Sequence, residues 1–175
     1  MLNRIMGVFR LDVNTFEEIE HDRSATGQAF LVVILVAIIA GVGSGLAAGI
    51  GDRSFFSAFI GTLLSAVVGW LIWAVVSWFV GTSFFGGQAD MGEMLRVIGF
   101  AQAPQILAII PCIGALVGWI WSLIAGFIAI RQGLDLDNTK AFLTIVIGFI
   151  FVIIVYAVMG LLFGGLGAIF GLLTG

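Results

Sequence analysis

The residues with the strongest claim to chemistry are few, and they cluster. Asp90, Glu93 and Arg96 follow one another at intervals of three, so on a helix all three lie near one face. Two carboxylates and a guanidinium so arranged can form a polar docking surface on the cytoplasmic side. They also have a sufficient structural role, because acids in a first helical turn suit the helix dipole and an arginine near a membrane boundary snorkels to water. Gln102 and Gln105 flank Pro104 inside an apolar stretch. Buried amides need partners, so hydrogen bonding between helices is the first expectation. The sharper alternative is a small polar cavity, since polar groups mark solute paths in transporters.

The remaining reactive groups are isolated. His21 stands among acids in a polar stretch, where a solvated ring with a locally favoured proton is expected. Cys112 has no base nearby, and one cysteine with one histidine cannot make a four-ligand zinc site, so neither metal nor cofactor is expected. Serines and threonines in the apolar runs lack a His, Lys or Asp to activate them, which argues against an enzyme. No acid or histidine lies near the centre of an apolar run, which weakens proton-coupled transport. Gly41-x-Gly43-x-Gly45 follows no strand and lies within an apolar run, so a nucleotide-binding reading fails. The seven basic residues are scattered, and nucleic-acid binding is not expected.

The elements that carry these residues are set by composition. Hydrophobic residues make up 61% and charged residues 10% of the 175-residue chain, and the mean hydropathy is +1.23, whereas a soluble domain is about one quarter charged. Uncharged runs at 24–51, 54–89, 97–130 and 141–175 each exceed the roughly 20 residues that cross a bilayer. The run 97–130 would extend about 51 Å as one helix, against a hydrocarbon core of roughly 30 Å. It must fold back, and Pro111-Cys112-Ile113-Gly114 supplies the turn. The spacing predicts an all-α integral membrane protein, a bundle of five transmembrane helices at about 29–50, 56–80, 91–110, 113–130 and 142–163. An apolar tail, 164–175, is expected as an interfacial or helical extension. Residues 1–28 form a cytoplasmic segment with a short juxtamembrane helix starting near Asn14, lying on the membrane surface or leading into the first span. This lead is too polar and acidic for a cleavable signal.

Charge supports five crossings with the N-terminus cytoplasmic and the C-terminus on the opposite side. Arg4, Arg10, Arg23, Arg96, Arg131 and Lys140 then lie inside and Arg53 alone outside, as expected when short cytoplasmic loops are enriched in Lys and Arg. Glycines recur at small-xxx-small spacing, Gly41, Gly45 and Gly49 in the first span and Gly114 and Gly118 in the fourth. Such spacing lets helices approach closely in lipid. Trp70, Trp73, Trp78, Trp119 and Trp121 are expected as packing or interface anchors.

The polar lead with Thr15-Phe16, the five spans, the stretch Arg96-Val-Ile-Gly-Phe-Ala-Gln-Ala-Pro104 and the loop Gln132-Gly-Leu-Asp-Leu-Asp-Asn-Thr-Lys-Ala141 together resemble the Yip family of Rab/Ypt-GTPase-interacting membrane domains. That resemblance implies five spans, a cytoplasmic N-terminus and a role in membrane organisation or trafficking through other membrane proteins. It is similar to a prokaryotic-type member of the plasma (inner) membrane. The Asp-Leu-Tyr-Gly-Pro element and long cytosolic region of eukaryotic relatives are missing, which weighs against small-GTPase binding. The expected function is a non-enzymatic scaffold or accessory subunit, contacting lipid and other integral membrane proteins or itself. A small transporter or channel component with a polar site around Gln102 and Gln105 is the alternative.

Overall fold

Uncharged sequence in a bilayer has no water to satisfy its backbone, so it closes its own hydrogen bonds as helix. A computed structural model describes the backbone of residues 1–50, 54–110 and 113–174, and their side chains except those of 50, 156 and 159–174. In chain order it contains α1 (Leu2–Phe9), α2 (Val13–His21), α3 (Ala25–Ile50), α4 (Phe55–Phe85), α5 (Met91–Ala101), a 3-10 helix (Ala103–Ile109), α6 (Ile113–Gly133) and α7 (Asn138–Thr174). No strand occurs among the described residues. Helices α3, α4, α6 and α7 are long and apolar enough to cross a membrane, which makes this a multi-pass, all-α membrane protein.

The segment 91–110 differs from the continuous helix expected there. Pro104 has no N–H to give to the carbonyl four residues back, so α5 ends at Ala101 and the chain tightens into the 3-10 helix. End to end the two pieces reach about 30 Å. Their contacts with α6 run in reverse order: Met94 and Val97 lie beside Gly133, Pro104 and Gln105 beside Gly118, and Leu107 and Ile110 beside Gly114. The segment and α6 are therefore an antiparallel pair. The turn expected at Pro111-Cys112 and the boundary at Asp52-Arg53 lie outside the described residues. The tail beyond Phe163 prolongs α7 as helix to Thr174.

The polar lead also departs from expectation. It holds two helices, and α2 neither rests on a surface nor merely leads into the first span. Phe16 and Ile19 are fully buried, in a core shared with Val8, Val32, Val33, Met94, Val97, Phe100 and Ile130. The physical reason is that α5, being short, leaves a gap beside α6 that α2 fills. Asp12 caps α2 through the Asn14 amide, and Asp137 caps α7 by accepting from the Thr139 and Lys140 amides. Helix α4 stops at Gly86, in the left-handed conformation (φ 70°).

Candidate functional site

Asp90, Glu93 and Arg96 have separate tasks. Asp90 caps α5 by accepting from the Glu93 amide at 2.7 Å, and the Glu93 carboxylate accepts from the Asp90 amide at 2.6 Å, a reciprocal capping box. Arg96, only 4% exposed, does not snorkel to the interface as its position suggested. Its guanidinium turns inward and donates from Nε to the Ile19 carbonyl (3.2 Å) and the Glu20 carbonyl (3.0 Å), and from Nη2 to Glu20 again. Those carbonyls are the unpaired end of α2, where the helix dipole favours a cation. Arg96 thus clamps the polar lead onto α5.

A second clamp ties the other end of that lead. Arg4 of α1 bonds Glu18 at 2.8 Å, Asp22, and Gln28 at the start of α3 at 3.2 Å. Asp22 also accepts from the Ser24 hydroxyl and amide, and these bonds, with Arg4, hold its carboxyl down to about 2. Trp121 of α6 donates to the Phe9 carbonyl, Trp70 to Leu95 and Trp78 to Ala89, so three indoles anchor packing through their N–H groups.

The polar residues of the broken segment meet at a cavity. Where α6 crosses the proline break, a Cβ on Gly118 would lie 2.7 Å from the Pro104 carbonyl oxygen, and one on Gly114 2.0 Å from that of Leu107. Only glycine permits backbone contact this close. Above this seam opens a cavity of about 350 Å³ between α3, α4, α5, α6 and α7, lined by Gln102, Gln105, Ser65, Ser122, Trp70, Trp73 and Phe149 among others. A smaller one of about 90 Å³ adjoins it and shares Trp73, Ser122 and Phe149. The buried Ser122 hydroxyl has no hydrogen-bond partner among the described residues. No lining residue is titratable. The cavity can therefore hold an apolar body and hydrogen-bond a neutral polar group.

The first-span glycines divide. A Cβ on Gly41 would meet Phe59 at 3.0 Å and one on Gly45 would meet Phe55 at 2.6 Å, whereas one on Gly49 would meet no described residue within 4 Å. Ser44 and Thr62 bond at 2.7 Å across the same α3–α4 seam. Sequence reading passed over Ser65 and Ser122, which carry no spacing signal, and treated His21 as solitary. Glu17, Glu20 and His21 in fact form a cluster, and their i, i+3, i+4 spacing was the available signal. The Yip1 domain family model matches residues 6–173. No curated protein and no solved structure matches the chain.

Proposed function

We propose, from the premise that the chain belongs to the Yip1 domain family, that it is a non-enzymatic scaffold or accessory subunit of a membrane protein complex, seated in a prokaryotic plasma membrane. One observation carries this reading. Among the described residues helix α7 makes its main contacts with α4 and α6 and presents Phe142, Ile150, Phe151, Ile153 and Ile154 outward, while the polar groups of α5 are held in internal bonds. A helix face left open by its own bundle is accessible to a second helix, and in lipid close packing rather than water exclusion drives such association. The chain crosses the membrane five times in this proposal, with α5 and the 3-10 helix together forming the third crossing and Gly175 opposite the N-terminus. Gentle purification at native expression followed by mass spectrometry tests it. The expected result is a stable assembly with itself or another integral membrane protein, and a chain found strictly alone would overturn it.

The cavity favours a second reading, a small transporter or channel component. Gln102 and Gln105 both line it, as a solute-binding face would require. Replacing both by leucine should abolish solute flux in liposomes, and absence of flux through the unmodified protein would sink this reading.

A further inference from the structure

We propose that Glu17, Glu20 and His21 bind one divalent first-row cation of the zinc type at the polar end of the bundle. The three residues share one face of α2, and one ligand atom from each lies within 4.8 Å of the others. Ligand atoms around a zinc ion with bonds of about 2.0–2.2 Å sit roughly 3.5 Å apart, so small rotamer changes close the set. A protein supplying one imidazole and two carboxylates leaves a fourth position for water.

The independent observation is Glu20 itself. Glu20 is only 4% exposed, and its Oε2 has no hydrogen-bond partner among the described residues. A buried carboxylate in that state is unfavourable, and it is relieved either by keeping its proton or by meeting a cation. The Arg96 guanidinium gives its Nε and Nη2 groups to the backbone carbonyls of Ile19 and Glu20, not to this carboxylate. Asp135 and Glu93 on neighbouring elements add negative charge around the same carboxylate.

The surroundings orient the other two ligands. His21 Nδ1 donates to the Glu17 carbonyl at 2.9 Å, which leaves the lone pair of the neutral ring on Nε2. Gln132 of α6 donates to Glu17 Oε1, fixing that carboxylate and leaving its second oxygen available. Backbone and amide partners behind metal ligands are the usual means of setting tautomer and orientation. Imidazole with carboxylates selects zinc-like ions over magnesium or calcium, which prefer all-oxygen sets. The carrier helix is rigid, because Phe16 and Ile19 are fully buried and Arg96 clamps its end.

The test uses the untagged full chain in detergent, stripped with chelator. Calorimetric titration with Zn²⁺ should give one ion per chain, and Glu20→Gln and His21→Ala should each weaken binding at least tenfold while eluting as the unmodified protein does. Binding far below one ion per chain, or affinities within about twofold of the unmodified protein in both variants, would overturn the proposal. A measurement that needs no variant guards against misfolding. His21 is the only histidine, so saturating Zn²⁺ should protect the unmodified protein from diethyl pyrocarbonate, and full modification in the presence of Zn²⁺ would overturn the site.

Discussion

The two ends of this bundle are held together by different physics. At the polar end α1, α2, α5 and the last turns of α6 interlock through side chains with named partners, with Arg96 on the α2 carbonyls, Arg4 on Glu18 and Asp22, and Gln132 on Glu17. At the other end α3 meets α4 through small residues and aromatic rings, Gly41 on Phe59 and Gly45 on Phe55, with one hydroxyl pair between them. Polar bonds specify one arrangement, and removing one partner leaves the other buried and unpaired. Small-residue packing tolerates change wherever a neighbour can move. A single substitution should accordingly be felt far more at the first end.

Arg96→Leu is the largest expected breach of that contrast. It strips the end of α2 of its donors and should destabilise the protein by roughly 2–4 kcal/mol, read as a lower unfolding midpoint in detergent and as new protease cleavage within residues 1–24. Unchanged cleavage would show that packing of Phe16 and Ile19 alone holds the lead. Gly118→Ala comes next, because the added carbon meets a backbone oxygen at 2.7 Å that cannot swing away. About 1–3 kcal/mol should be lost, with the cavity at Gln102 and Gln105 distorted, so that ligand or solute readouts change along with thermal stability.

A pH effect sharpens the comparison further. Burial first, then the charges of Asp135 and Glu17, push the Glu20 carboxyl up to about 7 against an ordinary 4.5, with His21 opposing and Glu93 adding to the rise. In chelator-treated protein the folded state thus retains a proton that the unfolded chain has released between those values. Stability is full below about 4.5 and falls as pH rises through about 7. Glu20→Gln should remove that fall, and parallel pH profiles for the two proteins would refute the assignment. Gly49→Ala is the smallest expected effect. No described residue lies within 4 Å of its added carbon, so thermal unfolding should move by no more than about 0.5–1 kcal/mol, toward greater stability if at all.

Much of the fold was legible because hydropathy is local. Runs without charge announce helices in lipid, and Asp90 with Glu93 announces acids in a first helical turn where α5 begins. Pro104 was equally visible, yet its effect was not. A proline at that position can kink a span or end it, and the choice depends on whether neighbours satisfy the freed backbone. Here Gly118 admits the Pro104 carbonyl against α6, and the chain continues as 3-10 helix. Gln102 and Gln105 announced polarity, whereas the cavity they line needs Ser65, Ser122 and Phe149 from three other helices.

The sequence by itself determined that this chain lives in lipid, that its spans are helical and where most of them begin, since each follows from composition and short-range spacing. Only the tertiary structure decided what Arg96 and Glu20 do. Their meeting joins residues 76 positions apart, and no periodicity encodes a contact of that range. It arises because α2 is packed into the gap beside α6, which brings a helix end to a guanidinium and shuts a carboxylate away from water.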